Sequence, residues 1–523
     1  MGPVREGHLM TKAPAHAPSS GRVERSERFP RWPAWLPLAL ILALAAGLRF
    51  YRLGAENLWI DEVFSVRQAA PALEGVAGYW DLDRQTTSRP LSLVLLHYVL
   101  ALGNSEFLMR LPYAIMSILD VGALFLLSRE LAGRRVALRA SLFLAVLPLH
   151  VWYGQEVRWY AQWALLTTVS FLALVRLWKT GRKRWWVAHD VTLLLALYTY
   201  VVSLHLLIAQ VFTAWLLPDR GARASFRRKV VVMTVLAAIL ALPVFIVALG
   251  LRAAGMDEMV GTPRTTTLVV LPYLFFTYVA GYTIGPTLAE LHNLPSPVTL
   301  LTGFPEIVLY YVVFMPIAAL GLWSFRRRPE CGAVLGPWVM GLPLLVFASA
   351  LIGGQTFNVR YTFAAVPGFA LLLSLGVESL GRWRRAGTAA ALALFALSLV
   401  NLHTNDAYNK EDIRGALRHV RASPFGDEPV AVVGQGLAAA VYYGEGLDLE
   451  VLIGCGGGER VGEKIQAPVV HLNDLQSEPV FWLMVSRDWK DRADRCADRL
   501  AATHQVGERS SFTGVDLLLI QRR

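Results

Sequence analysis

The chain has 523 residues, of which 55% are hydrophobic and 17% charged, and its mean hydropathy is +0.44. Soluble domains carry about 25% charged residues, so this composition excludes an ordinary soluble protein. The formal net charge of +11 is compatible with nucleic-acid binding, but the Arg and Lys residues stand in short clusters between apolar runs, as in cytoplasmic loops.

Apolar runs of about twenty residues recur along the first 400 or so positions, and runs of that length cross a bilayer as helices. We therefore predict a polytopic α-helical membrane protein. Residues 1–31 form a basic tail of disordered character, which the positive-inside rule places in the cytoplasm. A first span at 32–53 then carries 54–107 to the outside. We expect no cleavable signal peptide, because the first apolar run is too long for one.

The rest of the membrane domain, which we expect to extend from 32 to 404, is predicted to cross ten more times. Basic clusters such as 326–328 mark cytoplasmic loops and so fix the direction of each crossing. This predicts that the N-terminus lies inside and the C-terminus outside. Two crossings at 266–281 would have no basic loop between them, so this apolar stretch is expected to lie along the interface or to be re-entrant. The ten spans are expected at 108–127, 136–153, 157–177, 186–201, 203–217, 230–251, 307–325, 332–352, 361–380 and 386–402.

From about residue 405 the composition changes, and a small extracytoplasmic α/β domain is predicted for 405–523. Short β-prone runs alternate with two helical patterns, one at 408–420 with Asp406 as a possible cap and one at 491–506. The strands are expected at 429–433, 449–453, 468–472 and 479–485. Of the three cysteines, Cys455 and Cys496 can form a disulfide if this domain is extracytoplasmic. The cysteines do not have the spacing of metal ligands.

The stretch "LWIDEVFS" (58–65) puts two adjacent carboxylates, Asp61 and Glu62, just beyond the first span. Apolar residues flank the pair on both sides, which is unusual in a solvated loop. Adjacent carboxylates in a partly dry environment raise at least one pKa, as a general base at the membrane surface requires. The alternative is a solvated loop, or carboxylates that cap the next helix.

A second candidate is "QEVRWY" (155–160), at the outer turn between the third and fourth spans. Gln155 and Arg158 share a helix face, as do Glu156 and Tyr160. Arginine suits bidentate contact with a phosphate, so Arg158 is a candidate phosphate ligand. The alternative is a turn that contains a structural ion pair.

Weaker candidates also lie on the outer side. Arg360 stands at the start of the tenth span and Arg89 in "TTSRPLSL", where an anchor to lipid headgroups is the alternative. Glu290 and His292 belong to a Gly- and Pro-containing loop at 281–292, which is otherwise an ordinary loop. Asp120 lies within the second span, where a carboxylate must find a partner; a helix–helix hydrogen bond is its simpler interpretation.

Several segments, in this order, resemble the GT-C fold glycosyltransferases of the family 39 type, which include protein O-mannosyltransferases and the aminoarabinose transferase that acts on lipid A. The bacterial members are the most similar. The segments that carry the resemblance are "LRFYRLGAENLWIDEVFS", "RLPYAIMSILDVGALFLLSRELAGRRVAL", "LPLHVWYGQEVRWYAQ", "GYTIGPTLAELH", "FNVRYTFAAVPGFALLL" and "YNKEDIRGAL".

The resemblance implies an enzyme of the inner (plasma) membrane whose donor sugar is carried on a polyprenyl phosphate, expected to be undecaprenyl phosphate. Transfer to an acceptor hydroxyl would occur at the outer face with inversion. Asp61 matches the family's catalytic acidic residue and would act as the general base, with Glu62 as the second member of the pair. Arg158 would hold the carrier phosphate, helped by Arg360 and Arg89, while Glu156, Tyr160, Glu290 and His292 would line the site.

Two departures bear on the donor or acceptor site. Arg89 stands where many relatives have a lysine, and Tyr200 stands where relatives often have a histidine. Metal dependence varies among these relatives, so neither a metal nor another cofactor is predicted, although a divalent metal stays open. The acceptor is a lipid, a glycan or a protein, and nucleic acid is not expected.

Two other functions are alternatives to a glycosyltransferase. A transporter or flippase for lipid-linked glycans would place its charges near the midplane, often in repeated halves, and Asp120 is the feature that favours it. A non-catalytic scaffold would leave the Asp61–Glu62 pair without a role.

Overall fold

The computed structural model describes residues 33–69, 89–219, 223–253, 268–287, 290, 302–353, 357–434, 436–453, 469–471, 474–486 and 492–523. The predicted tail 1–31 lies outside these residues. Over the first 404 positions the described chain is helical. The helices are Leu36–Phe50 (α1), Ile60–Ala69 (α2), Pro90–Leu100 (α3), Glu106–Ala132 (α4), Arg134–Val146 (α5), Pro148–Gly154 (α6), Tyr160–Thr180 (α7), Lys183–Thr199 (α8), Leu204–Leu216 (α9), Arg223–Leu240 (α10), Leu242–Ala253 (α11), Val270–Ala280 (α12), Pro305–Trp323 (α13), Pro329–Leu335 (α14), Leu342–Ile352 (α15), Val366–Ser379 (α16) and Arg384–Thr404 (α17).

Within the described residues, six helical segments are long and apolar enough to cross a membrane, or eight if each of two bent pairs is one span. The protein is therefore a multi-pass membrane protein. The six coincide with predicted spans 108–127, 157–177, 307–325, 332–352, 361–380 and 386–402, and the bent pairs with 136–153 and 230–251. The predicted spans 32–53, 186–201 and 203–217 correspond to shorter helices, so the total of eleven and the orientation stay predictions.

The apolar stretch 266–281 forms only the 11-residue helix α12. At 1.5 Å per residue such a helix is about 16 Å long, roughly half the hydrocarbon thickness. Its length agrees with the prediction that this stretch does not cross. It packs on α6, α13 and α17, so the protein covers much of its surface.

The third predicted span is broken at Leu147, where α5 and α6 meet at 60°. Pro148 begins α6 and lacks an N–H group, so carbonyl groups at the end of α5 lose their helical donor. The fully buried guanidinium of Arg49 donates to two of them, Ala145 O at 2.6 Å and Leu144 O at 3.3 Å. Arg49 therefore stabilises the break by supplying donors to these carbonyl groups.

Asp120 lies in the same buried cluster. Its Oδ2 is 3.1 Å from Nε2 of His150, whose Nδ1 is 2.7 Å from Arg49 Nη2. Asp120 thus makes the helix–helix hydrogen bond that was its simpler interpretation. The pairing of Asp120 with groups that stabilise a helix break removes the main feature in favour of a transporter.

After α17 the chain forms a six-stranded sheet with strand order β3-β2-β1-β4-β6-β5. Strands β1 to β4 are parallel to one another. Strands β5 and β6 form an antiparallel hairpin, and β6 pairs with β4 in the antiparallel sense. The elements are Ile413–Ala422 (α18), Val430–Gly434 (β1), Leu437–Tyr443 (α19), Leu449–Ile453 (β2), Val469–His471 (β3), Val480–Ser486 (β4), Arg492–Leu500 (α20), His504–Phe512 (β5) and Val515–Arg522 (β6).

The α/β prediction for this part is confirmed, and all four predicted strands are present. Two details were wrong. Asp412, and not Asp406, caps α18, because its carboxylate accepts from Gly415 N at 2.8 Å. The second predicted helix ends at Leu500 because its continuation pairs with β6 as a strand. Cys496 is disulfide-bonded and Cys331 is a free, buried thiol; Cys455 lies outside the described residues.

The sheet-containing part rests on one end of the helical domain through one shared apolar core. Buried side chains of α2 and α4, such as Val63 and Met109, belong to the same cluster as Leu417 of α18 and Leu437 of α19. Polar bonds surround this core. Arg414 contacts the Glu106 carboxylate at 2.7 Å, and Tyr443 donates to the same carboxylate at 3.0 Å. This contact fixes the C-terminal region directly above the segment that contains Asp61 and Glu62.

Candidate active site

Asp61 lies in the first turn of α2, where a helix N-terminus favours a negative charge. Its Oδ2 is 2.5 Å from Nη1 of Arg360 and 3.6 Å from Nη2 of Arg158. Arg158 also donates through Nη1 to the main-chain oxygen of Asp61, at 3.0 Å, and to Ser65 Oγ, at 3.1 Å. The carboxylate keeps 21% of its side-chain surface exposed, so a ligand can approach it.

A third guanidinium completes this group. Arg89 and Arg158 both contact the indole of Trp159, with their Cζ atoms 3.7 and 3.6 Å from its ring centroid. A cation held over an indole gains electrostatic stabilisation from the ring quadrupole. We call Asp61, Arg89, Arg158 and Arg360 the Asp61 pocket. Three guanidinium groups and one carboxylate leave an excess of positive charge, which suits an anionic ligand.

The charge balance acts on the acidity of Asp61. Burial by itself would raise its pKa, but the charges of Arg360 and Arg158, with a smaller effect of Arg89, lower the pKa to about 2. The expected rise in pKa is therefore not found for Asp61, whose carboxylate is ionised and held by the two arginines.

Glu62 has a very different environment. It is fully buried, and Arg110 binds it through two bonds, Nε to Oε1 at 3.0 Å and Nη2 to Oε2 at 2.9 Å. Lys410 Nζ donates to Oε2 at 2.9 Å and Val157 N to Oε1 at 2.8 Å. Burial would raise its pKa, but Arg110 and Lys410 lower it to about 2. We call Glu62, Arg110, Lys410 and the Val157 amide the Glu62 network.

The Glu62 network joins four distant parts of the chain. Arg110 on α4 also donates to the main-chain oxygens of Leu53, Glu56 and Asn57 at 2.8 to 3.0 Å, and so fixes the loop before α2. Lys410 comes from the segment before α18, and Val157 from the turn before α7. Glu62 therefore holds α2, the outer turn and the C-terminal region in one arrangement.

Glu156 is the third carboxylate of this region and is 1% exposed. Its Oε1 accepts from Trp152 Nε1 at 2.7 Å, while Oε2 is buried without a hydrogen-bond partner. Burial raises the pKa of Glu156 to about 7; Lys410 opposes the increase and the charge of Glu62 adds to it. A carboxyl group with a pKa near neutrality can accept or release a proton at physiological pH.

An aromatic wall borders the Asp61 pocket. Tyr160, the first residue of α7, packs against Tyr153 and Trp159, and Tyr200 packs against Trp159 and Tyr361. Two buried polar atoms here, Tyr160 Oη and Arg360 Nε, have no hydrogen-bond partner. Buried polar groups are nearly always satisfied, by protein, water or ligand, so these two donors are available to a polar ligand.

The structure thus gathers seven of the predicted site residues at one place: Asp61, Glu62, Arg89, Glu156, Arg158, Tyr160 and Arg360. Glu290 is not among them, because it is exposed and its carboxylate accepts from Thr287 N and Oγ1 at 2.8 and 2.9 Å. His292 lies outside the described residues. Within the described residues no three or more His, Cys, Asp or Glu side chains are grouped as metal ligands.

Sequence reasoning did not identify Arg110 or Lys410 as site residues. Both stand in segments that carry the family resemblance, "RLPYAI" and "YNKEDI". An arginine or lysine in such a segment has no local feature that predicts a partner 48 or 348 residues away.

Two of three comparisons with known proteins found similar proteins. Residues 88–249 match the family model described as dolichyl-phosphate-mannose-protein mannosyltransferase. The crystal structure of ArnT from Cupriavidus metallidurans in the apo state is 14% identical over 92% of this chain and 97% of that one, with a TM-score of 0.55. The crystal structure of the same protein bound to undecaprenyl phosphate is 13% identical over 93% of this chain and 98% of that one, with a TM-score of 0.54. No curated protein sequence matches the chain.

A further solved structure is the archaeal oligosaccharyltransferase AglB from Archaeoglobus fulgidus, in complex with an inhibitory peptide and a dolichol-phosphate. It is 13% identical over 90% of this chain and 68% of that one, with a TM-score of 0.50. These matches confirm the predicted GT-C fold of the protein O-mannosyltransferase and ArnT type. The family match and the shared fold together indicate a glycosyltransferase of the GT-C type.

Proposed function

We propose that this GT-C glycosyltransferase transfers a sugar from a polyprenyl phosphate, undecaprenyl phosphate in a bacterial membrane, to an acceptor hydroxyl at the outer face. The observation that carries the proposal is the Asp61 pocket, in which three guanidinium groups surround one partly exposed carboxylate. The solved ArnT with bound undecaprenyl phosphate and AglB with dolichol-phosphate support it, because proteins with this fold bind such lipids.

The carrier phosphate is proposed to bind to Arg158 and Arg360. Arg89, which contacts Trp159, adds a third positive charge. Arginine pairs with phosphate oxygens through two parallel N–H donors. Arg360 Nε and Tyr160 Oη, both buried without a hydrogen-bond partner, would supply further donors. The phosphodiester of the donor carries one negative charge, as the carboxylate does, and it would compete with Asp61 for the two arginines; the monoester that leaves carries a second charge.

This competition couples donor binding to catalysis. A carboxylate with a pKa of about 2 is a weak base, and the cause of that pKa is the pair of arginines. Once the phosphate engages them, Asp61 is released and its basicity increases. Asp61 then accepts the proton of the acceptor hydroxyl while the hydroxyl oxygen attacks the anomeric carbon from the side opposite the phosphate, which inverts that centre.

The same arginines stabilise the product. When the bond between the anomeric carbon and the phosphate oxygen breaks, negative charge grows on the phosphate, and pre-positioned cations lower the energy of that transition state. Glu62 has no free acceptor site for a substrate, so we propose it as a positioning residue. Glu156, with its unpartnered oxygen and a pKa of about 7, is the group to which Asp61 could pass the proton.

The test uses the purified full-length chain in lipid nanodiscs with undecaprenyl phosphate. Binding should raise the Tm of the wild-type protein, since a ligand that binds only the folded state stabilises it. The variant R158Q should show little of this increase, whereas D494N, which removes an exposed charge elsewhere, should match the wild type. An equal shift in wild type and R158Q would contradict the proposed phosphate site.

The proposed orientation needs its own experiment. In intact spheroplasts a membrane-impermeant maleimide should label a cysteine introduced as E445C, in the exposed loop after α19, but not one introduced as R327C, in the basic turn after α13. The reverse labelling would place the Asp61 pocket on the cytoplasmic side and would remove the proposed chemistry.

A further inference from the structure

A cleft of about 460 Å³ lies where the C-terminal region meets the membrane domain. Trp152 and Tyr282 line it from the membrane side. The segment around Tyr408 and the turn of the β5–β6 hairpin, with Phe512 and Asp516, line it from above. The volume falls within the roughly 300–1,000 Å³ of small-molecule sites.

The lining of this cleft differs in chemistry from the Asp61 pocket. Four aromatic side chains, those of Trp152, Tyr282, Tyr408 and Phe512, face three carboxylates. The carboxylates belong to Asp406, Glu411 and Asp516, and the lining also includes the amide of Asn409 and two threonines. Among the described residues that line the cleft there is no lysine or arginine. Arg509 lies outside the lining, 3.9 Å from the Asp516 carboxylate, so the charged groups that line the cleft itself are all negative.

The cleft adjoins the proposed reaction centre along two of its walls. Trp152 donates its indole N–H to Glu156 at 2.7 Å. On the opposite side Glu411 follows Lys410, which binds Glu62 at 2.9 Å, and the main-chain oxygen of Glu411 accepts from Asn57 at 2.7 Å. Trp152 therefore separates a molecule in the cleft from Glu156, and the segment Lys410–Glu411 separates it from Glu62.

Resting on the proposed function, we propose that this cleft binds the acceptor, and that the acceptor group bound here is a carbohydrate without phosphate or carboxylate, either neutral or bearing an amine. The C–H faces of a pyranose ring pack on aromatic rings, whose faces are electron-rich. Carboxylates accept the hydrogen bonds of hydroxyl and ammonium groups, and an amide both donates and accepts. Like-charge contacts disfavour a phosphorylated acceptor at this position.

Two substitutions test the lining with little change of shape. D516N removes one charge and keeps an oxygen that can accept the Ser511 hydroxyl, bonded to Asp516 at 2.8 Å. F512L removes an aromatic face and keeps an apolar side chain. The matched control is D427N, which removes an exposed carboxylate between α18 and β1 that does not line the cleft; Asp494 is unsuitable because its partner Arg509 also lies 3.9 Å from Asp516.

The experiment measures transfer from an undecaprenyl-phosphate sugar to four acceptors: the methyl glycoside of a neutral disaccharide, that of an amino sugar, a methyl glycoside phosphate, and a Ser/Thr-containing peptide. The neutral or the amino-sugar glycoside should accept the sugar. In D516N and F512L its KM should rise about tenfold with little change in kcat, the size expected when one charged hydrogen bond or ring contact is lost. D427N should keep the wild-type values.

The proposal is overturned if transfer occurs only to the phosphate-bearing glycoside or the peptide, or if both variants keep the wild-type KM. Should the wild type fail to bind undecaprenyl phosphate in the thermal measurement above, the proposed function itself is wrong. The cleft is then tested by saturation-transfer NMR with the same neutral and amino-sugar glycosides. A signal that D516N and F512L weaken and D427N keeps supports the cleft, and the absence of such a signal overturns it.

Discussion

Asp61 and Glu62 are adjacent in sequence, yet they belong to two regions with opposite physical character. The Asp61 pocket has more guanidinium groups than carboxylates and an exposed fraction of 21% at its acid. In the Glu62 network the acid is fully buried, and Arg110, Lys410 and a main-chain amide occupy its oxygens. The difference teaches that excess charge with access is available to a ligand, whereas charge that is fully hydrogen-bonded holds the structure.

The strongest test of this comparison is D61N. If Asp61 accepts the acceptor proton, its loss should lower kcat by about 10³- to 10⁴-fold, the upper range for a general base. The variant should still bind undecaprenyl phosphate, because the arginines remain and no longer have the carboxylate as a competitor. Sugar transfer and the thermal shift with the lipid measure the two effects, and transfer at the wild-type rate would remove Asp61 from its role.

For Glu62 the expected effect is on stability. E62Q leaves Arg110 and Lys410 buried without their counter-charge, and removal of one partner from a buried ion pair costs about 3–5 kcal/mol. Denaturant unfolding in detergent micelles measures this loss, with D494N as the exposed acid-to-amide control. A variant of wild-type stability that has lost only its kcat would instead make Glu62 a catalytic residue, contrary to the division proposed here.

Glu156 lies close enough to both regions to be affected by the charges of Asp61 and Glu62. The pH dependence of protein stability tests whether its carboxyl group titrates near neutrality. Its pKa is raised from 4.5 to about 7, so between these values the unfolded state loses its proton while the folded state keeps it. The folded state then binds more protons, and stability falls as pH rises from about 4.5 to 7, by up to about 3 kcal/mol. E156Q, which can keep the bond from Trp152, should match the wild type at pH 4 and exceed its stability at pH 8.

That comparison requires unfolding curves of both proteins at the two pH values. An equal stability difference at pH 4 and pH 8 would show that Glu156 does not titrate in this range, and its part in proton transfer would be lost with it.

The smallest expected effect concerns Arg89. R89K keeps the positive charge, but lysine lacks the planar guanidinium group with which Arg89 contacts Trp159. We expect the donor KM to rise by about tenfold or less, corresponding to the roughly 1 kcal/mol of a partly buried cation–π contact. A rise as large as that of R158K, measured in parallel, would show that Arg89 contacts the phosphate directly.

Much of the candidate site was predictable because its residues carry local signals. The "DE" pair stands between apolar residues just beyond a span, and "QEVRWY" stands at an outer turn; both patterns are visible within ten residues. The break at Leu147 was missed, since Pro148 at a first helical position is compatible with a simple helix start. The role of Glu290 was also assigned from its loop alone, and its carboxylate is engaged by Thr287.

The sequence by itself determined the membrane-helical character, most of the spans, the α/β character of the C-terminal region and the kinds of charge at the outer face. Hydrophobic length, charge clusters and strand-forming runs are local properties that each segment expresses wherever it lies. Only the tertiary structure decided which carboxylate is open and which is bound. Arg360 and Lys410 reach Asp61 and Glu62 across 299 and 348 residues, and a pKa depends on the charges and burial that folding brings within a few ångströms.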